Sequence, residues 1–370
     1  MIDANEIAKS VSAASASFRK PSAFVPSYGT AGFRAEASLL DSTLFRYGNC
    51  QRKRERRRRR KIGSLQFAME FFFFFKKSSQ PLLPLNLLFP FNSCGVLMVA
   101  RSLSKNRAVT GICVTASHNP PRDNGVKLID PSGHVLSQEW EPTADALARA
   151  EGDDELEALT RELFAKAISE SSSSSQSSSS SRPVVWIAHD SRPSSPALAA
   201  AAKAGAEAGG AEAELLGEMT TPQLHWLVAA ANKGSKPKPS LEDYYDELAR
   251  GHAELVAGTE PLTTKEKKEN DKSGGGFLFV DAAAGVGGGA TEKLAAKCAE
   301  PGGLLLRVAN GPEVSRRDPE ALNHRRGSDF VQKTRALPDG MKIVSSSSSS
   351  FSSSSSANEK EEDETAVVSV

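Results

Sequence analysis

Short apolar runs recur along the chain with helical patterns between them, and the two rhythms predict its elements. Val109–Thr115 (VTGICVT) and Val126–Ile129 read as strands, and VVWIAHD at 184–190 reads as a buried strand. Ala211–Leu216 reads as the strand after that. FLFVDAAAG at 277–285 is a strand running into a small-residue turn, and AVVSV at 366–370 is a strand-like stub. Between them, Trp140–Lys166 carries one long amphipathic helical pattern, Pro196–Ala208 an alanine-rich helix and Ala290–Ala299 a further helix. Strands alternating with helices predict an α/β chain with a largely parallel sheet.

Three stretches break the rhythm. Residues 171–181 are ten serines and a glutamine, and 345–356 are eleven serines around Phe351. Such tracts bury nothing that offsets the entropy of ordering, so they predict linkers or surface loops. The third stretch, about 49–95, joins an arginine-rich block to Phe71–Phe75 and then to a Leu/Pro/Phe run. It shows neither period. The resulting division is a first domain over 1–168 holding a foreign insert at about 49–95, and a serine-rich linker at 169–182. A second domain covers 183–344, a serine-rich and acidic segment 345–365, and the start of a strand 366–370.

Charge changes the picture little. The 370 residues carry 46 Lys+Arg against 45 Asp+Glu, with nine of the bases packed into residues 52–61. One basic block is not the spread basic face of a nucleic-acid binder, so nucleic acid is not the expected partner. The four cysteines show no CxxC spacing, which argues against structural zinc and a disulfide framework and for a reducing compartment. The N-terminus lacks an apolar signal core, and prolines interrupt the apolar stretch 81–100. A cytoplasmic protein without membrane contact is expected.

The chemistry-bearing string is TASHNPPRDNGVK, Thr115–Lys127. A strand ends there in a polar turn, small neighbours expose the Ser117 hydroxyl, and strand ends are where α/β proteins place reactions. His118 and Lys127 offer a proton carrier and a cation. An ordinary Asn-Pro turn fits the same letters, and the lack of a GxSxG elbow argues against a hydrolase triad. VDAAAGVGGG at 280–289 lacks the spacing of a dinucleotide loop.

TASHNP resembles the phosphoserine loop of the α-D-phosphohexomutases, and its continuation through Glu141 is similar to the N-acetylhexosamine-phosphate branch of that family. YGTAGFR (28–34) resembles the family's GTxGxR loop, and VDAAAG its VDxANG turn. HDSRPSS (189–195), TTPQLHW (220–226) and LNHRRGSDFVQK (322–333) follow in the family's order. The resemblance implies mixed-sheet α/β domains, with the first and most of the second present and the third and fourth missing. It implies interconversion of N-acetylglucosamine 6-phosphate and 1-phosphate, feeding UDP-N-acetylglucosamine synthesis. The route is a phosphoserine at Ser117 and a hexosamine bisphosphate intermediate. Arg34 and Lys127 would neutralise charge and His118 would handle the proton, while Gly29 and Thr30 would shape their loop. One Mg²⁺ would bridge the phosphate, with Ser117 as its ligand. The family's DGDxDR metal loop has no counterpart in the 370 residues, so the chain alone is expected to be inactive. A remnant that only binds phosphosugar, or nucleic acid through Arg52–Lys61, is the rival reading. Removing 49–95, or equally 47–93, joins the flanks into one helix, which points to translated non-coding sequence or an error in the assigned gene.

Overall fold

The structure is a computed structural model and describes residues 3–15, 33–36, 85–150, 153–172, 182–234, 238–257, 277–298, 306–341 and 366–368. The chain divides into two units. One comprises Met1–Ala116, Arg122–His189 and Ser194–Gly217, and the other Ser117–Pro121, Asp190–Pro193 and Glu218–Val370. The arginine block, the phenylalanine run, Gly29, Thr30 and most of both serine tracts lie outside the described residues.

The first unit follows α1 (Ala4–Ser15), β1 (Phe33–Glu36), α2 (Leu85–Ser104), β2 (Thr110–Val114), β3 (Asp123–Ile129), α3 (Glu141–Arg149) and α4 (Asp153–Ser172). After the serine tract come β4 (Val184–His189), α5 (Ser195–Ala208) and β5 (Glu212–Glu218). The five strands order as β1-β3-β2-β4-β5. β3 runs antiparallel to both β1 and β2, while β2 and β4 are parallel with Thr110 opposite Val185. The sheet is therefore mixed, as the resemblance implied, and not largely parallel as the alternation of strands and helices alone predicts. The link from β2 to β3 is too short for a crossover helix, so the chain must turn back on itself.

Apolar burial holds this unit. All five residues of β2 and the middle four of β4 are buried. Of these, Ile112, Val114, Val185 and Ile187 meet Leu97, Val99 and Leu103 of α2 and Leu198 and Ala202 of α5 in one cluster. α2 crosses α5 closely: a Cβ placed on Gly95 would lie 2.1 Å from the Ala202 carbonyl oxygen. Only glycine fits there. One ion pair is sealed inside. Arg101 Nε and Nη2 donate to the two oxygens of Asp130 at 2.9 and 2.7 Å, with the guanidinium 4.9 Å from the Trp140 ring centre.

Three sequence expectations change here. The Trp140–Lys166 pattern forms two helices: α3 stops at Arg149, Ala150 turns extended (φ −48°, ψ 128°), and α4 begins at Asp153. The letters Gly152-Asp153 supply a poor helix former and then a residue favoured at helix starts. The aperiodic stretch 49–95 ends in regular structure, since α2 runs unbroken from Leu85 through Gly95. Ser93 and Cys94 are buried in it, so tertiary packing overrides the weak local pattern. Finally, β4, α5 and β5 follow the serine tract yet complete the first sheet, so the tract interrupts a unit rather than separating two.

The second unit holds α6 (Thr221–Asn232), α7 (Leu241–Val256), β6 (Phe277–Asp281), α8 (Gly287–Lys297), β7 (Leu306–Ala309), α9 (Pro312–Arg317), α10 (Gly327–Thr334) and β8 (Ala366–Val368). Its sheet orders as β7-β6-β8, parallel throughout. Capping boxes start α6 (Thr220 with Gln223) and α7 (Ser240 with Asp243), which satisfies backbone N–H groups that a helix start leaves unpaired. Gln223 also donates to the Tyr245 hydroxyl at 2.6 Å, tying the two helices together. Among the described residues no helix is long and apolar enough to cross a membrane.

Candidate active site

β2 ends at Val114, and the Thr115 N–H still bonds the Gly125 carbonyl at 2.9 Å. The polar turn follows. Ser117 is exposed with a left-handed backbone (φ 48°), and His118 beside it is exposed. Left-handed backbone costs a non-glycine residue about 1–2 kcal/mol, so the surroundings must enforce it. Two side chains of the second unit bond carbonyls of this turn. Arg192 Nη2 donates to the Ser117 and Asn119 carbonyls at 3.2 and 2.9 Å, and Asn323 Nδ2 donates to the same two at 2.7 and 2.8 Å.

Arg192 is 1% exposed, and its charge is met by Asp190, 3.5 Å from Nη1. Asp190 also accepts from the Arg192 N–H, which fixes the bend after β4. Asn323 is held from behind by its own N–H, which bonds the Ala283 carbonyl at 3.0 Å. That carbonyl lies just past β6, where Asp281 organises the loops. Its carboxylate accepts from the N–H groups of Gly327 (2.6 Å) and Ala283 (3.0 Å) and from Asn310 Nδ2 (2.9 Å). Arg326 Nε donates to Asn310 Oδ1, and Arg325 pairs with Asp339. The Lys333 ammonium hydrogen-bonded to Asp329 holds that carboxyl below its ordinary value, with a small contribution from His118. The VDAAAG letters form the junction from β6 into α8, as their resemblance implied.

Of the sequence-derived residues, Arg34 and Lys127 belong to the first unit and Ser117 and His118 to the second. Arg34 faces Gly125 across β1–β3, and Lys127 faces Cys113 across β2–β3. Positions 34 and 127 thus share one sheet face by register, since positions 125 and 127 lie two apart on β3. Lys127 is half-buried between buried Val126 and Leu128. Sequence reasoning passed over Arg192 and Asn323 as site residues. Both stood inside quoted motifs, HDSRPSS and LNHRRGSDF, and only the fold shows them sharing acceptors.

The described residues offer little to the metal that the resemblance implies. Among them no three His, Cys, Asp or Glu side chains gather to hold an ion. Ser117 offers one oxygen where a hard divalent cation takes about six. They do not fit a complete magnesium site.

A family model, "Phosphoglucomutase/phosphomannomutase, alpha/beta/alpha domain I", matches residues 94–154 and 148–236. Phosphoacetylglucosamine mutase of Arabidopsis thaliana is 35% identical over 318 residues, which are 85% of this chain and 45% of that protein. The chain is similar to the α-D-phosphohexomutases. Two solved phosphohexomutase structures of Aspergillus fumigatus share its fold. The N-acetylphosphoglucosamine mutase with glucose 1,6-bisphosphate gives a TM-score of 0.67 at 27% identity, covering 92% of this chain and 50% of that one. The same enzyme with GlcNAc-6P and magnesium gives 0.65 at 28%, with the same coverage. The chain spans about half the length of the relatives it matches. The family model continues to residue 236, past the serine tract, in line with β4 and β5 completing the first sheet.

Proposed function

We propose that the chain carries the phosphoserine half of a phosphoacetylglucosamine mutase, with Ser117 as the phosphoryl carrier. The observation that supports this most is the exposed Ser117 in an enforced left-handed turn, within the family's serine motif. In this reading the phosphoserine passes its phosphoryl group to the free hydroxyl of N-acetylglucosamine 6-phosphate or 1-phosphate. The Oγ–P bond breaks, the sugar O–P bond forms, and the product is a hexosamine bisphosphate with a free serine. The serine then takes the other phosphoryl group, which releases the isomeric monophosphate.

A phosphoserine brings about −1.5 to −2 charges, so transfer needs cations. Arg34 and Lys127 are assigned that task, and His118 the proton of the sugar hydroxyl. Magnesium would supply further neutralisation at the phosphate oxygens. The described residues leave its ligand set incomplete, so no step is routed through it. UDP-N-acetylglucosamine synthesis in the cytoplasm is the setting that this chemistry suits.

The experiment is intact mass and peptide mapping after incubation with glucose 1,6-bisphosphate. Phosphate on Ser117, absent from Ser117→Ala, is expected. Phosphate on a different serine, with Ser117→Ala labelled as well as the parent, overturns the reading.

A further inference from the structure

We propose that Arg192 and Asn323 are the positioning residues of Ser117, jointly gripping the turn's backbone so that the serine hydroxyl keeps one orientation. The inference rests on Ser117 as the phosphoryl carrier and assigns it a support that no motif names. Arg192 Nη2 and Asn323 Nδ2 each have two hydrogens, and each places one on the Ser117 carbonyl and one on the Asn119 carbonyl. The four bonds run from 2.7 to 3.2 Å and occupy both lone pairs of each oxygen. His118 sits between the two gripped carbonyls.

Both donors are fixed before they reach the turn. The Arg192 guanidinium is buried against Asp190, and its backbone is bent by the same carboxylate. Asn323 takes a left-handed backbone (φ 58°) anchored on Ala283. A rigid pair of donors acting on two carbonyls determines a backbone that its own preferences disfavour. Phosphoryl transfer depends on this, because its catalysis is chiefly placement and charge. A serine that swings by an ångström loses its in-line approach. The clamp therefore acts through Ser117, and neither donor is expected to touch the sugar.

The test uses two variants of the full chain. Asn323→Asp keeps the shape but replaces the donor with an acceptor that repels both carbonyls. Arg192→Lys keeps the charge facing Asp190 but loses the fork. Hydrogen–deuterium exchange by mass spectrometry is read for peptides covering 117–122, with β2 and β6 peptides as internal references. Phosphate uptake at Ser117 from a hexose 1,6-bisphosphate is read as maximal rate and half-saturating concentration. In each variant, exchange of the turn should quicken by about tenfold or more while the reference strands keep theirs. Maximal uptake should fall about 100-fold with half-saturation little moved. Turn exchange equal to that of the parent in both variants overturns the clamp. So does an increase shared equally by β2 and β6, which marks a purely structural role. A parent chain that takes up no phosphate overturns the phosphoryl-carrier reading instead, and the exchange comparison then decides the clamp alone.

Discussion

In the first unit β2 is buried along its whole length, whereas every residue of β7 in the second unit is only half-buried. The first unit gathers more than thirty hydrophobic residues into one cluster, from Val11 to Ala213. Among the described residues the second has fewer buried apolar side chains, and polar wiring converges on Asp281, Asn310 and Asn323. Left-handed backbones collect there too, at Ser117, Ala283, Ala284, Asn310, Asn323 and Arg325. Apolar contact tolerates small shifts and specifies shape by volume, while a wired loop specifies individual atoms. The proposed phosphoryl carrier lies in the wired part, where placement of one hydroxyl matters more than total stability.

The largest effect should come from overfilling the first unit. Gly95→Val sets a side chain against the Ala202 carbonyl, and neither backbone can retreat without opening the core. We expect a loss of about 4 kcal/mol or more, measured by urea unfolding of Trp140 and Trp186 fluorescence in a Trp226→Phe background. A loss below ~1 kcal/mol would show that the helices are free to slide. The wired unit should respond next. Asp281→Ala strands the N–H groups of Gly327 and Ala283 and the amide of Asn310. A cost of about 3 kcal/mol is expected, with Trp226 fluorescence responding and Trp140 and Trp186 unchanged.

A third experiment compares two deletions. Removing 47–93 leaves Cys94 before Gly95, while removing 49–95 sets Tyr47 and Gly48 in those places, so the products differ at one position. Cys94 is 2% exposed, and burial pushes its thiol pKa well up. A tyrosine there overfills the slot, so the 47–93 deletion should be more stable by about 2 kcal/mol. Equal midpoints would mean that the slot is open.

The smallest effect concerns acid. Arg325 holds the Asp339 carboxyl below its ordinary value, and Lys333 does the same for Asp329. A carboxyl lowered in the folded state adds stability above its unfolded value, and that stability is lost as pH falls through the folded one. Both pairs are exposed, so the effect is slight and vanishes in high salt. Below about pH 4 the midpoint of Asp339→Asn should fall less than that of the parent. Parallel pH profiles would remove the pair from the account.

Much of this was legible in the letters because it is local. β2, β4 and α5 follow from apolar runs and alanine richness, and Ser117 from a strand end before Asn-Pro. What stayed hidden depends on distant partners. The helix around Gly95 owes its form to close packing on α5, and the mixed sheet, which the residue pattern alone missed and the resemblance implied, to a tight return between β2 and β3. No local rule pairs Asn323 with a carbonyl 206 residues away. Arg192 stands in the HDSRPSS motif with no role that its letters assign, and only burial beside Asp190 gives it a task.

The parallel pairing of β2 with β4 also has a consequence for synthesis. β3 covers one edge of β2 soon after translation, but the other edge waits for Thr110 to meet Val185. At ~5–20 residues per second, that wait lasts about 4–15 s. During it a largely apolar strand offers unpaired backbone to any neighbouring nascent chain. Lengthening the serine tract costs the finished sheet little, because loop closure rises only logarithmically with length. The same lengthening extends the ribosomal wait in direct proportion, so selection against long tracts would act on yield before it acted on stability.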